Sequence, residues 1–70
     1  MSAEKANIEK RAMERRVLLM QAGKRPVDVA RRLRVHRSLI THVLDGSKRS
    51  ARVENCIAGI VKLSRASLWP

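Results

Sequence analysis

The sequence predicts an all-α domain, a compact bundle of four or five helices, and three observations carry that prediction. Apolar residues recur at spacings of three and four in successive short stretches, residues that start and stop helices separate those stretches, and no run alternates with the two-residue period of a half-buried strand. Neither an internal repeat nor a low-complexity tract interrupts the 70 residues, so residues 8–70 are expected to form one domain and residues 1–7 a frayed start.

The first helix is expected over residues 3–22, with Ala6, Met13, Val17 and Met20 as its core face and Lys5, Lys10, Arg11, Glu14 and Arg15 largely elsewhere. Lys5 with Glu9 and Lys10 with Glu14 stand four apart, a spacing that pairs charges across a helix surface. Gly23 stops this helix, and Pro26, whose fixed φ suits a first turn, opens the next one, from Pro26 to about Leu33. Its stripe is Val27, Val29, Ala30 and Leu33, leaving Arg31 and Arg32 outward, while Asp28 suits the positive end of the helix dipole. A break at Arg34-Val35-His36 leads into a helix from Arg37 to about Leu44, which turns Ile40, Val43 and Leu44 inward and ends in an Asp45-Gly46 left-handed cap. After the polar Ser47-Lys48-Arg49, Ser50 caps a fourth helix striped by Val53, Cys56, Ile57, Ile60 and Val61, and Ser64 caps one last turn.

Composition narrows the function. Sixteen Lys and Arg stand against six acids, a net charge of +10, and such a field attracts polyanions. The charge is concentrated: Lys24 to Arg52 hold nine basic residues against Asp28 and Asp45, a net +7 in the middle of the chain. A 70-residue domain buries only about 60% of its unfolded surface, and without Phe or Tyr this core rests on aliphatic residues, Met and the single Trp69. The one cysteine, Cys56, excludes an internal disulfide and reads as an inert thiol on a core stripe. His36 and His42 point to different sides of a helical path with no Cys or carboxylate completing a set, so no metal and no cofactor is expected. The chain also lacks a Gly-rich phosphate loop, a nucleophile-base-acid set and paired carboxylates, which argues against an enzyme and a small-molecule substrate. Uncharged runs such as Val17 to Gly23 are too short to span a bilayer, and no signal peptide opens the chain, so a cytoplasmic, nucleoid-associated protein is expected.

Two short helices joined by a three-residue turn cross steeply around a small apolar centre, here Val29, Ala30, Leu33, Val35, Ile40 and Val43. Ala30 permits their close approach and Val35 plugs the gap. Arg37, Ser38, Thr41 and His42 then remain outward on the second helix, the array of donors and acceptors that major-groove readout requires. The stretch VARRLRVHRSLITHVLDG, the following KRSARVENCIAGI and the terminal SLWP resemble the helix-turn-helix proteins of the λ-repressor-like fold, nearest to the small Ner and Ner-like phage and bacterial regulators, over about residues 16–70. Three positions depart from the pattern. The family usually has Gly where Arg34 stands, so either Arg34 takes a positive φ at about 1 kcal/mol or the turn differs. His36 and Arg25 replace the usual Ser or Thr, which predicts weaker caps.

The resemblance implies double-stranded DNA as the partner, with the motif at about 26–44 and helix 37–44 in the major groove. Arg37, Ser38, Thr41 and His42 are the expected base contacts, Arg37 suiting guanine O6/N7 or a phosphate and Leu39 a thymine methyl or the core. Lys24, Arg25, Arg31, Lys48, Arg49 and Arg52 are the expected phosphate contacts, which set affinity and register. Trp69 closes the bottom of the core or stacks on bases, the former being the ordinary role of a terminal aromatic. The expected function is a transcriptional regulator, a phage or prophage repressor. The alternatives are a phage DNA-packaging recognition protein, a non-specific architectural or RNA-binding protein, and a basic amphipathic helix over Ala3 to Ala22 acting on anionic membranes. A second copy meeting the first on DNA is an expected partner, since related domains engage two half-sites one turn apart.

Overall fold

The computed structural model describes the backbone of residues 3–69 and the side chains of residues 10–69. It contains α1 (Ala3–Gln21), α2 (Pro26–Leu33), α3 (Arg37–Asp45), α4 (Ala51–Val61) and α5 (Arg65–Leu68), with no strand among the described residues. Residues 1 and 2 of the expected frayed start lie outside the described residues, as do the side chains of Ala6 and of the Lys5–Glu9 pair. The observed α2 and α3 lie within a residue of expectation, and α4 and α5 begin directly after the expected caps Ser50 and Ser64.

The four longer helices stop by one device. Gly23, Arg34, Gly46 and Lys62 take left-handed φ of 77°, 57°, 85° and 61°. The N–H one residue further on then reaches back to an open carbonyl: Lys24 to Leu19 at 3.2 Å, Val35 to Ala30 at 3.0 Å, Ser47 to His42 at 3.0 Å and Leu63 to Ala58 at 3.1 Å. Arg34 thus adopts the strained alternative, and Val35 follows it into the half-buried rim of the core. Starts are local as well. The His36 Nδ1 accepts from the Ser38 N–H at 3.1 Å, so the imidazole does cap α3. Arg25 offers no such acceptor, and α2 is closed from the other side, by the Asp28 carboxylate accepting from the Arg25 N–H at 2.9 Å. Ser50 and Ser64 cap α4 and α5 as expected.

Helix α3 lies among α1, α2 and α4, and α5 packs on α4. Ile40, Val43 and Leu44 face inward to Leu19, Val29, Ala30, Val53, Ile57 and Leu68, with Leu33, Val35, Leu39 and Cys56 at the half-buried margin. Ala30 is buried at the α2–α3 approach, where a larger side chain would separate the helices.

Helix α1 buries a different face from the expected one. Met13, Val17 and Met20 are 65%, 37% and 68% exposed, while Ala12, Arg15 and Leu19 are buried. Val17-Leu18-Leu19-Met20 puts apolar groups around most of a turn, so the helix had two candidate faces, and the one that bears Leu18 and Leu19 packs on the core. Arg15, expected outside, is 5% exposed. Its Nε donates to the Leu44 carbonyl and its Nη1 to the Leu68 carbonyl, both at 2.7 Å, and its guanidinium stands 5.4 Å from the centre of the Trp69 ring. Both carbonyls belong to the last turns of helices, the negative ends of their dipoles, which is why a buried cation is tolerated there. Burial, then the nearby Arg11, Arg49 and Arg16, lower the Arg15 pKa from its ordinary value. Trp69 takes the core role: it is buried and its indole N–H donates to the Val43 carbonyl at 2.9 Å. Among the described ion pairs the one from α1 joins Arg16 to Asp45 at the end of α3, in place of the expected Lys10–Glu14 pair.

Candidate nucleic-acid interface

Helix α3 is tied down at both ends and along one face, and this leaves its other face free for contact. Its first turn is held by the His36 cap, its last by Arg15, Trp69 and the left-handed Gly46. Gly46 has a second constraint, since a Cβ there would stand 3.3 Å from Arg15 Nη2. With Ile40, Val43 and Leu44 buried, the exposed residues are Arg37, Ser38, Thr41 and His42, all four of the expected base contacts. Three of these carry local hydrogen bonds: Ser38 Oγ with His36 Nδ1 at 2.7 Å, Thr41 Oγ1 to the Arg37 carbonyl at 3.3 Å, and His42 Nδ1 with Ser47 Oγ at 3.2 Å. These bonds orient the side chains, and the bonded groups are ones that exchange readily for water or a base edge. Leu39 is half-buried against the core margin.

The six expected phosphate contacts, Lys24, Arg25, Arg31, Lys48, Arg49 and Arg52, are all exposed. Three of them also hold the fold. Arg25 Nε stands 3.4 Å from the Asp28 carboxylate, and Arg52 Nη2 donates to the Leu33 carbonyl at 2.8 Å, closing the C-terminus of α2 from the start of α4. Arg49 is bidentate with Glu54, Nε to Oε2 and Nη2 to Oε1, each at 3.0 Å. Sequence patterning did not single out Glu54. It lies on the buried face of α4 at 2% exposure, beside Val53, Ile57 and Ala58, and it also accepts from the Ser50 N–H at 2.9 Å and faces Arg65 Nε at 3.7 Å. Its side-chain hydrogen bonds from Arg49, aided by the Ser50 N–H, hold the carboxyl below its ordinary value against the opposing effect of burial. The available signal was an acid among apolar neighbours in a strongly basic chain. Such an acid is buried only with arginines to meet it.

Cys56 is half-buried on α4. Among the described residues no three His, Cys, Asp or Glu are grouped to hold a metal, and no helix is long and apolar enough to cross a membrane. Compared with family models, curated proteins and solved structures, the chain matches none.

Proposed function

We propose that this chain is a sequence-specific double-stranded DNA-binding regulator, a λ-repressor-like helix-turn-helix domain of the Ner-like phage or prophage kind. It acts as a repressor, with α3 entering the major groove. One observation carries this reading: the solvent face of α3 consists of Arg37, Ser38, Thr41 and His42, while the opposite face is fully buried. A helix so presented offers a guanidinium, two hydroxyls and an imidazole to base edges, and the exposed cations that flank the motif along the chain would supply phosphate contacts. The bidentate geometry of guanidinium with guanine O6/N7 assigns Arg37 as the principal reader.

Selection of sites from a random double-stranded DNA pool at about 150 mM salt tests the proposal. The expected result is a compact motif, bound at least about 10³-fold more tightly than a scrambled duplex. Tight, salt-sensitive binding without an enriched motif would replace the regulator with an architectural or RNA-binding role.

A further inference from the structure

We infer that Glu54 is a positioning residue for phosphate capture, holding Arg49 by one edge so that its other edge is presented ready-made to a phosphate; the inference rests on the DNA-binding reading above. A guanidinium has five N–H donors in a planar fork. Glu54 takes two of them, one on Nε and one on Nη2. Of the remaining three, one on Nη1 and the second on Nη2 form the terminal edge, whose spacing matches two oxygens of a phosphate, and the other Nη1 hydrogen points back toward Cδ. The side chain that carries this edge is 59% exposed, whereas the Glu54 side chain that fixes it is 2% exposed. Glu54 is itself anchored by the Ser50 N–H at 2.9 Å, so the carboxylate, the start of α4 and the guanidinium move as one unit.

Simple charge counting argues against burying an acid in a protein of net charge +10 whose partner is an anion. Orientation answers that objection. Arg65 also faces the carboxylate, at 3.7 Å, so the trio of Arg49, Arg65 and Glu54 keeps a net positive charge. The rotamer freedom that a free arginine gives up on binding has already been spent on folding, which favours association. A lysine in place of Arg49 would keep the charge and lose the double fork.

Two variants separate orientation from charge, read by fluorescence anisotropy on a mixed-sequence duplex of about 30 base pairs across a salt series. Arg49→Lys is expected to lose about tenfold in affinity, close to the loss for Arg49→Ala, although its formal charge is unchanged. Glu54→Gln, which raises the net charge by one, is expected to bind more weakly, whereas long-range electrostatics alone demands tighter binding. Arg49→Lys binding like the unaltered chain, or folded Glu54→Gln binding more tightly, overturns the inference. Should Glu54→Gln melt below the assay temperature, the exposed Arg49→Lys decides alone. An unaltered chain that leaves the duplex free even at low salt removes the DNA reading and this inference together; duplex binding that Arg49→Lys leaves intact removes only the inference.

Discussion

Burying an arginine costs several kcal/mol unless its donors find partners, and Arg15 finds them in carbonyls that helix geometry leaves open at Leu44 and Leu68. Arg15→Leu removes the donors and strands two buried acceptors, so it is expected to lower unfolding stability by about 3 kcal/mol or more, with Arg15→Lys recovering part. Urea unfolding of the three chains measures this. A change under about 1 kcal/mol would mean that water reaches both carbonyls. At the candidate interface, single residues divide by role. Arg37→Ala is expected to cost about 1–3 kcal/mol at the selected site and to relax its sequence preference, whereas Arg49→Ala weakens selected and scrambled duplexes alike. Titration of both duplexes with both variants separates the roles, and the same pattern from each would show that Arg37 does not read a base.

Individual helices here depend on how they stop. The four left-handed positions have the same bond pattern, yet only two are glycine, and Arg34 and Lys62 each bear the Cβ strain of that conformation, about 1 kcal/mol. Arg34→Gly and Lys62→Gly are therefore expected to raise the melting temperature, by up to about 4–8 °C each in a domain of this size. Gly46→Ala is expected to lower it, because a Cβ there meets both the strain and Arg15 Nη2. Circular-dichroism melts decide both. Unchanged melting for Arg34→Gly would show that the entropy lost by glycine offsets the relief. Helix α1 presents an exposed apolar stripe, Met13, Val17 and Met20, on a different face from the one it buries.

For the whole molecule, charge is the controlling quantity. If the six proposed phosphate contacts form on DNA, log K is expected to fall with log salt at a slope of about −5, and a nearly flat dependence in the anisotropy series would contradict an electrostatic interface. Stability responds to acid for a different reason. Hydrogen bonds from Arg49 lower the pKa of Glu54, and the backbone N–H of Arg25 lowers that of Asp28, from ordinary values of 4.5 and 3.8. The unfolded chain therefore binds protons before the folded one does. The stability these carboxylates contribute is fully present above their ordinary values and is lost as pH falls through the lowered folded ones. Melts at stepped pH are expected to be level above about 4.5 for these groups and to drop below it, with Glu54→Gln flattening part of the drop.

The starts of α2 to α5, the serine caps and the outward set on α3 were legible in the sequence because they depend on interactions within a few residues: the 3.6-residue period, a serine acceptor three positions ahead of its donor, a glycine at the stops of α1 and α3. Arg37, Ser38, Thr41 and His42 fell outside because Ile40, Val43 and Leu44 left no alternative inner face. Only the tertiary structure decided which way α1 faces, since four consecutive apolar residues satisfy either orientation. The same holds for the ionic interior. Arg15 is buried because carbonyls 29 and 53 residues away converge on it, and Glu54 because packing beside Val53 and Ile57 turns it toward Arg49 and Arg65. Patterning along the chain treats a charge as solvated by default. A buried charge is stable only when distant partners are brought to it, and that arrangement exists only once the helices have packed.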